Sequence, residues 1–247
     1  MRAAWIAERP VAHRGLHVAA NNIVENTASA FAAAVAHGFA MECDVQITAD
    51  GEAMVFHDDT LDRMMQGSGR LDAHTRAALQ AIAMKQGADR MITLGELCDL
   101  VGGRSPLVVE IKAAWSDDRR LESRVAQVLG AYKGPVAVMS FDPGSMQAMR
   151  TLAPSLPRGV VQESKYDDPE WDRLSAWQKF SLARLLHLPQ SRPDFLAWYV
   201  QDLRNKAPRF ARRVLGLPML TWTVRTAADQ ARAGLFADQM IFEGFVP

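Results

Sequence analysis

Short apolar runs alternate with longer amphipathic segments along almost the whole chain of 247 residues. The runs read as strands and the segments between them as helices. Val11-Ala12-His13-Arg14-Gly15 is a short strand ending in a glycine turn, and Asn26 or Thr27 then caps a helix that runs to Ala36 and stops at Gly38. Residues 40–45 form the next strand. Thr48-Ala49-Asp50-Gly51-Glu52 follows, and Asp-Gly before another apolar run is a strong hairpin signal. Residues 53–57 are therefore the returning arm of a hairpin, because so short a linker cannot hold the crossover that a parallel neighbour needs.

Residues 58–89 carry few strand signals and a short helix near 74–84. Helices are predicted over 93–101, from about 117 to 131, and from Asp142 to just before Pro154. Further helical segments span 171–188, 202–215 and 226–233. Strands are predicted at 107–112, 136–140, 159–162, 195–199, 219–224 and 239–242. Without the hairpin arm this makes eight strands with helices between them, the pattern of a parallel sheet. The expected fold is a (β/α)8 TIM barrel in a single domain over 1–247, with a small β-hairpin inserted after the second strand. A doubly wound dinucleotide fold fits less well, because His13-Arg14-Gly15-Leu16 is not its glycine-rich loop.

Composition narrows the function classes. Hydrophobic residues make up 49% and charged residues 23%, which excludes disorder, collagen and coiled coil. The 28 Lys and Arg cancel the 28 Asp and Glu, so there is no basic excess for a nucleic-acid partner, though a local basic pocket for one phosphate is compatible with this. Cys43 and Cys98 are the only cysteines, which is no disulfide framework and suits a reducing compartment. Charge and Pro10 interrupt the first residues before a signal-like apolar run develops, and nothing approaches a membrane span. A cytoplasmic protein without stable membrane insertion is the expectation.

In a barrel, chemistry gathers at the C-terminal strand ends. The first strand ends in His13 and Arg14. Glu42 and Asp44 are two apart and face one way, with Cys43 facing the other; Glu110 and Lys112 repeat the device, and His57-Asp58-Asp59 ends the hairpin arm. On a half-solvated strand such acid pairs are simply the wet face, but a parallel barrel strand has little wet face. Burying a carboxylate unpaired costs several kcal/mol. Lys112 or Arg14 could form structural ion pairs with these acids. A divalent cation would also resolve the charge, and three carboxylates suit Mg²⁺ or Ca²⁺ rather than a soft metal. His13 and His57 sit at strand ends where imidazole can work as acid or base. His17, His37, His74 and His187 have no comparable setting, and no His or Cys spacing supports zinc. Phe141, Gln162 and Trp222 are candidates for the pocket lining. Trp171, Trp177, Trp198, Phe180 and Phe195 read as core, as an apolar wall or as an oligomer contact.

His13-Arg14-Gly15, Glu25-Asn26-Thr27, Glu42-Cys43-Asp44-Val45, Thr48-Ala49-Asp50-Gly51, Val55-Phe56-His57-Asp58, Leu61-Asp62-Arg63 and Glu110-Ile111-Lys112 together resemble the successive signature motifs of the glycerophosphodiester phosphodiesterases. The likeness is dense in the first half and thin in the second, where Ser140-Phe141 and Thr221-Trp222-Thr223-Val224 carry it. It implies a barrel related to phosphatidylinositol phospholipases C. It also implies metal-dependent hydrolysis of small glycerophosphodiesters to an alcohol and glycerol 3-phosphate. By the same resemblance Glu42, Asp44 and Glu110 would hold one Mg²⁺ or Ca²⁺, His13 and His57 would be the acid/base pair, and Arg14 and Lys112 would bind the phosphate. Two regions depart from the pattern: Glu243 stands at the last strand tip where a Thr-Asp ending is usual, and 165–194 matches nothing familiar. Both bear on the alcohol accepted rather than on the reaction. A lysophospholipase D-like enzyme would use the same site on lipids but needs an apolar groove, and no amphipathic membrane helix demands one. A non-catalytic phosphodiester-binding barrel would be expected to lack His13 or His57. A metal-dependent aldolase or isomerase would want a neutral lysine, and Lys112 beside carboxylates is poorly placed for that.

Overall fold

The computed structural model describes residues 3–247. Its strands in chain order are β1 (Val11–Ala12), β2 (Ala40–Ile47), β3 (Ala53–Val55), β4 (Leu107–Ile111), β5 (Val136–Ser140), β6 (Arg158–Gln162), β7 (Phe195–Tyr199), β8 (Met219–Val224) and β9 (Gln239–Phe242). All but β3 pair in parallel in the order β1-β2-β4-β5-β6-β7-β8-β9, and β9 returns to β1, so the sheet closes. This is the expected (β/α)8 barrel. The β3 strand runs antiparallel to the end of β2, with Val45 opposite Val55 and Ile47 opposite Ala53, and so forms the hairpin inserted after the second strand.

The helices are α1 (Ala28–Ala36), α2 (Arg76–Ala81), α3 (Leu94–Val101), α4 (Arg120–Ala131), α5 (Pro143–Leu152), α6 (Ala176–Ala183), α7 (Leu188–Ser191), α8 (Lys206–Arg213) and α9 (Ala227–Phe236). Their starts follow local chemistry. Thr27 caps α1, Thr93 and Glu96 form a reciprocal capping box on α3, and Asp142 caps α5 with Pro143 in the first turn. Each such cap stabilises its helix by about 1 kcal/mol. The predicted helix over 171–188 is instead broken. Leu185 adopts φ 60° and Leu186 N–H donates to the Ser181 carbonyl, a left-handed cap that ends α6 before α7 begins. Helix α4 starts three residues later than expected and α8 four residues later.

Period-two alternation sorts the strand residues into two shells. Met41, Cys43 and Val45 of β2 and Leu107, Val109 and Ile111 of β4 pack outward against the helices. Val11, Ala40, Val108, Ala137, Met139, Val161 and Ile241 fill the barrel interior, where Ala3 and Ile6 join them. A third cluster, with Met54, Leu61, Met65 and Leu79, supports the segment between β3 and α3.

Candidate active site

At the C-terminal mouth of the barrel, His13, Arg14, Glu42, Asp44, His57, Glu110 and Lys112 all line one cavity of about 280 Å³. The same alternation that turns Cys43 outward turns Glu42 and Asp44 inward, and Asp44 lies in register with Glu110 on the neighbouring strand. The turn after β1 places Arg14 and Gly15 in the left-handed region, at φ 55° and 79°. A Cβ on Gly15 would stand 2.9 Å from the Ala30 carbonyl carbon, so this crossing requires glycine. The turn aims the Arg14 N–H at Glu42 Oε2, at 3.0 Å. The hairpin brings His57 back to the mouth: Phe56 N–H donates to the Asp44 carbonyl at 3.0 Å, and Gln46 Nε2 donates to the His57 carbonyl at 2.9 Å.

One oxygen from each of Glu42, Asp44 and Glu110 lies within 4.8 Å of the other two, and all three residues are buried. Lys112 Nζ donates to Glu110 Oε1 at 2.9 Å and to Asp44 Oδ1 at 3.4 Å. Arg14 Nε lies 3.2 Å from Asp44 Oδ2, which also accepts from Asn26 Nδ2 at 3.0 Å. Asp44 is thus held on both oxygens. Glu42 is not, because its Oε1 is buried with no hydrogen-bond partner. Three carboxylates face two cations here, which leaves one negative charge uncompensated. Burial pushes the Glu42 carboxyl well above its usual range, and Asp44 and Glu110 push it further. Burial works the same way on Asp44, but Lys112, His57 and Arg14 outweigh it and hold that group well below its usual range. Hard oxygen donors and an orphaned buried carboxylate oxygen fit a bound cation, so the acidic cluster can hold a metal ion.

Both histidines have one ring nitrogen engaged by a carboxylate. His13 Nδ1 is 2.7 Å from Glu243 Oε2, and His57 Nδ1 is 2.7 Å from Asp58 Oδ1. Because an ionised carboxylate only accepts, each pair places the proton on Nδ1 and leaves Nε2 for the cavity. Burial lowers the pKa of His13, only partly opposed by Glu243. Arg63 donates to Asp58 through Nε at 2.6 Å and to Glu25 through Nη2 at 2.7 Å, and Glu25 accepts from Arg14 at 2.8 Å. A chain of charge therefore ties the His13 turn to the His57 arm.

Phe141 and Trp222 line the cavity, with ring centroids 5.5 Å apart. Gln162 does not. Val161 faces the cavity, so its neighbour Gln162 points outward, where its Nε2 lies 3.1 Å from His187 Nε2 and its Oε1 accepts from the Tyr166 hydroxyl at 3.4 Å. Glu170, Thr223 and Arg225 join the lining, and Trp171 packs on Phe141 at 5.0 Å, so part of the unfamiliar 165–194 segment covers the mouth. Glu243 and Asp58 hold the two imidazoles, and neither is assigned a role by residue type and spacing alone. For Asp58 the signal was its adjacency to His57. For Glu243 it was its place two residues beyond the inward Ile241.

A model of the glycerophosphoryl diester phosphodiesterase family matches residues 13–240. A glycerophosphodiester phosphodiesterase of Caldanaerobacter subterraneus subsp. tengcongensis is 30% identical over 182 residues, covering 70% of this chain and 73% of that protein. One from Bacillus subtilis is 28% identical over 246 residues, covering 90% and 78%. Among solved structures, an Oleispira antarctica phosphodiesterase in complex with its product sn-glycerol-3-phosphate aligns with a TM-score of 0.76 at 20% identity, covering 96% of this chain and 94% of that one. That likeness speaks to the fold; the family match and the sequence relatives speak to the family. The chain belongs to the glycerophosphoryl diester phosphodiesterase family.

Proposed function

We propose that this chain hydrolyses glycerophosphodiesters to an alcohol and glycerol 3-phosphate, using His13 and His57 as the acid/base pair and one Mg²⁺ or Ca²⁺ held by Glu42, Asp44 and Glu110. The observation that carries the reading is the shared cavity: two imidazoles with Nδ1 engaged, two cations and the carboxylate triad all line it. A phosphodiesterase neighbour with sn-glycerol-3-phosphate as product supports the same substrate class.

When bound, a cation held by Glu42, Asp44 and Glu110 would supply Lewis-acid charge to the phosphate. Arg14 and Lys112 add fixed positive charge where negative charge grows on the phosphate, and their carboxylate partners hold them in place beforehand. One imidazole takes the proton from the attacking oxygen at Nε2 as the new P–O bond forms. The other gives a proton from Nε2 to the departing alkoxide as the old P–O bond breaks. Positioned proton transfer of this kind contributes roughly 10²–10⁴-fold. Glu243 and Asp58 fix the ring orientations throughout.

The test is release of glycerol 3-phosphate from glycerophosphocholine and glycerophosphoethanolamine, after chelation and after Mg²⁺ or Ca²⁺ is restored, by the wild type and His13→Ala. Metal-restored activity that falls at least about a hundredfold in the variant is expected. Activity unchanged by chelation would overturn the cation assignment, and no turnover of either diester would overturn the reaction.

A further inference from the structure

The chemistry above leaves helix α6 without a task. The inner side of its segment is accounted for: Leu174 and Leu182 join Tyr166 and Trp171 in an apolar cluster that packs on Phe141 and Trp115. Phe141 is also a wall of the catalytic cavity, so the segment rests on the barrel mouth. Its outer side is apolar and uncovered among the described residues. Trp177 is 67% exposed, Phe180 47% and Leu186 49%. The Trp177 and Phe180 rings stack with centroids 5.7 Å apart, and the Arg184 guanidinium lies over the Phe180 ring at 5.4 Å.

Charge singles out the same stretch. Residues 173–193 contain no Asp or Glu, yet carry Arg173, Lys179, Arg184 and Arg192, in a chain whose charges cancel overall. None of these four forms an ion pair among the described residues. The acids just before them are Asp167, Asp168, Glu170 and Asp172, and of these Glu170 faces the cavity. Exposed Trp, Phe and Leu flanked by Lys and Arg match the chemistry of a lipid–water boundary. Rings settle at headgroup depth there, and cations meet lipid phosphates.

We propose that α6 docks this molecule on an anionic lipid surface, with Trp177, Phe180 and Leu186 entering the headgroup layer and Lys179 and Arg184 on lipid phosphates. The contact is peripheral, since no helix of the described residues is long and apolar enough to cross a membrane. A second copy fits the patch poorly. Three exposed apolar side chains fall short of the roughly 1,000 Å² that a stable interface buries.

Vesicle binding tests this independently of turnover. Wild type, W177A/F180A and K179E/R184E are each sedimented with vesicles of phosphatidylcholine alone and of an equal mixture with phosphatidylglycerol. Wild type is expected to partition onto the anionic vesicles. W177A/F180A should lose at least about tenfold in partition coefficient, and K179E/R184E should lose the preference for phosphatidylglycerol. Both variants should keep turnover of a water-soluble diester within about twofold, since none of these residues lines the catalytic cavity. Wild type that stays in solution, or binding equal in wild type and W177A/F180A, would overturn the proposal. So would a wild-type dimer that W177A/F180A makes monomeric, which would assign the patch to self-association.

Discussion

His13 and Glu243 stand 230 positions apart in the chain, yet His13 Nδ1 and Glu243 Oε2 meet at 2.7 Å. They meet because β1 and β9 are neighbours only where the barrel closes, with Ala12 in register with Phe242. Arg225 donates to the same carboxylate oxygen at 2.9 Å and holds it in place. The hydrogen bond from His13 pulls the Glu243 pKa down to about 2, so the carboxylate is ionised at any working pH.

Glu243→Gln tests that orienting role. The amide keeps the shape and loses the charge, so kcat should fall about 10- to 100-fold, as is usual when a supporting partner of a site residue is removed. Glu243 also raises the proton affinity of His13. The limb of the kcat/KM pH profile that belongs to His13 should therefore move to lower pH in the variant. An unchanged profile with reduced kcat would mean that Glu243 acts on folding or packing alone.

Glu42→Gln separates the role of the acidic cluster in chemistry from its effect on stability. With Oε1 unpartnered and the carboxyl pushed up by burial, the charged form of Glu42 is a strain on the metal-free fold. The variant should lose metal-restored activity by about a hundredfold or more. Without metal its Tm should rise by roughly 2–4 °C, the shift that about 1 kcal/mol gives in a chain of this size. A lower Tm without metal would show that the two Arg14 and Lys112 pairs already satisfy the triad.

Gly15→Ala should destabilise by roughly 2–4 kcal/mol, from left-handed backbone strain and from a methyl forced onto the backbone of Ala30. Because the same turn aims Arg14 at Glu42, KM for the diester should rise as well. Denaturant melts and steady-state kinetics on one preparation would show both, and a silent substitution would contradict the geometry of the turn.

His187 should make the fold sensitive to acid. Burial lowers its pKa from 6.5 to about 4. The folded state therefore binds this proton less well than the unfolded chain. The stabilisation is complete above about pH 6.5 and is lost as pH falls through about 4, amounting to about 3 kcal/mol at most. His187→Gln should flatten the fall in stability between pH 6.5 and 4 seen in wild-type urea melts. Parallel curves would assign that acid loss to other groups.

The sequence alone carried much of this protein, wherever the governing physics is local. Side chains alternate along a strand with period two, so Glu42 and Asp44 could be put on one face and Cys43 on the other before any fold was known. The capping oxygens of Thr27, Thr93 and Asp142 mark helix starts because their partners lie two or three residues away. Asp50-Gly51 marked the hairpin for the same reason. Gln162 could not be placed this way. Both faces of a parallel barrel strand are buried, so the apolar pattern of β6 does not say which parity points inward, and only packing against His187 decides it. The break at Leu185 in a leucine-rich stretch that reads as one helix, and the exposed face of α6, were equally hidden. Tertiary structure alone decided the contact between the chain ends, where barrel closure sets Glu243 against His13. Such neighbours are fixed by the geometry of the whole sheet, which no short stretch of sequence contains.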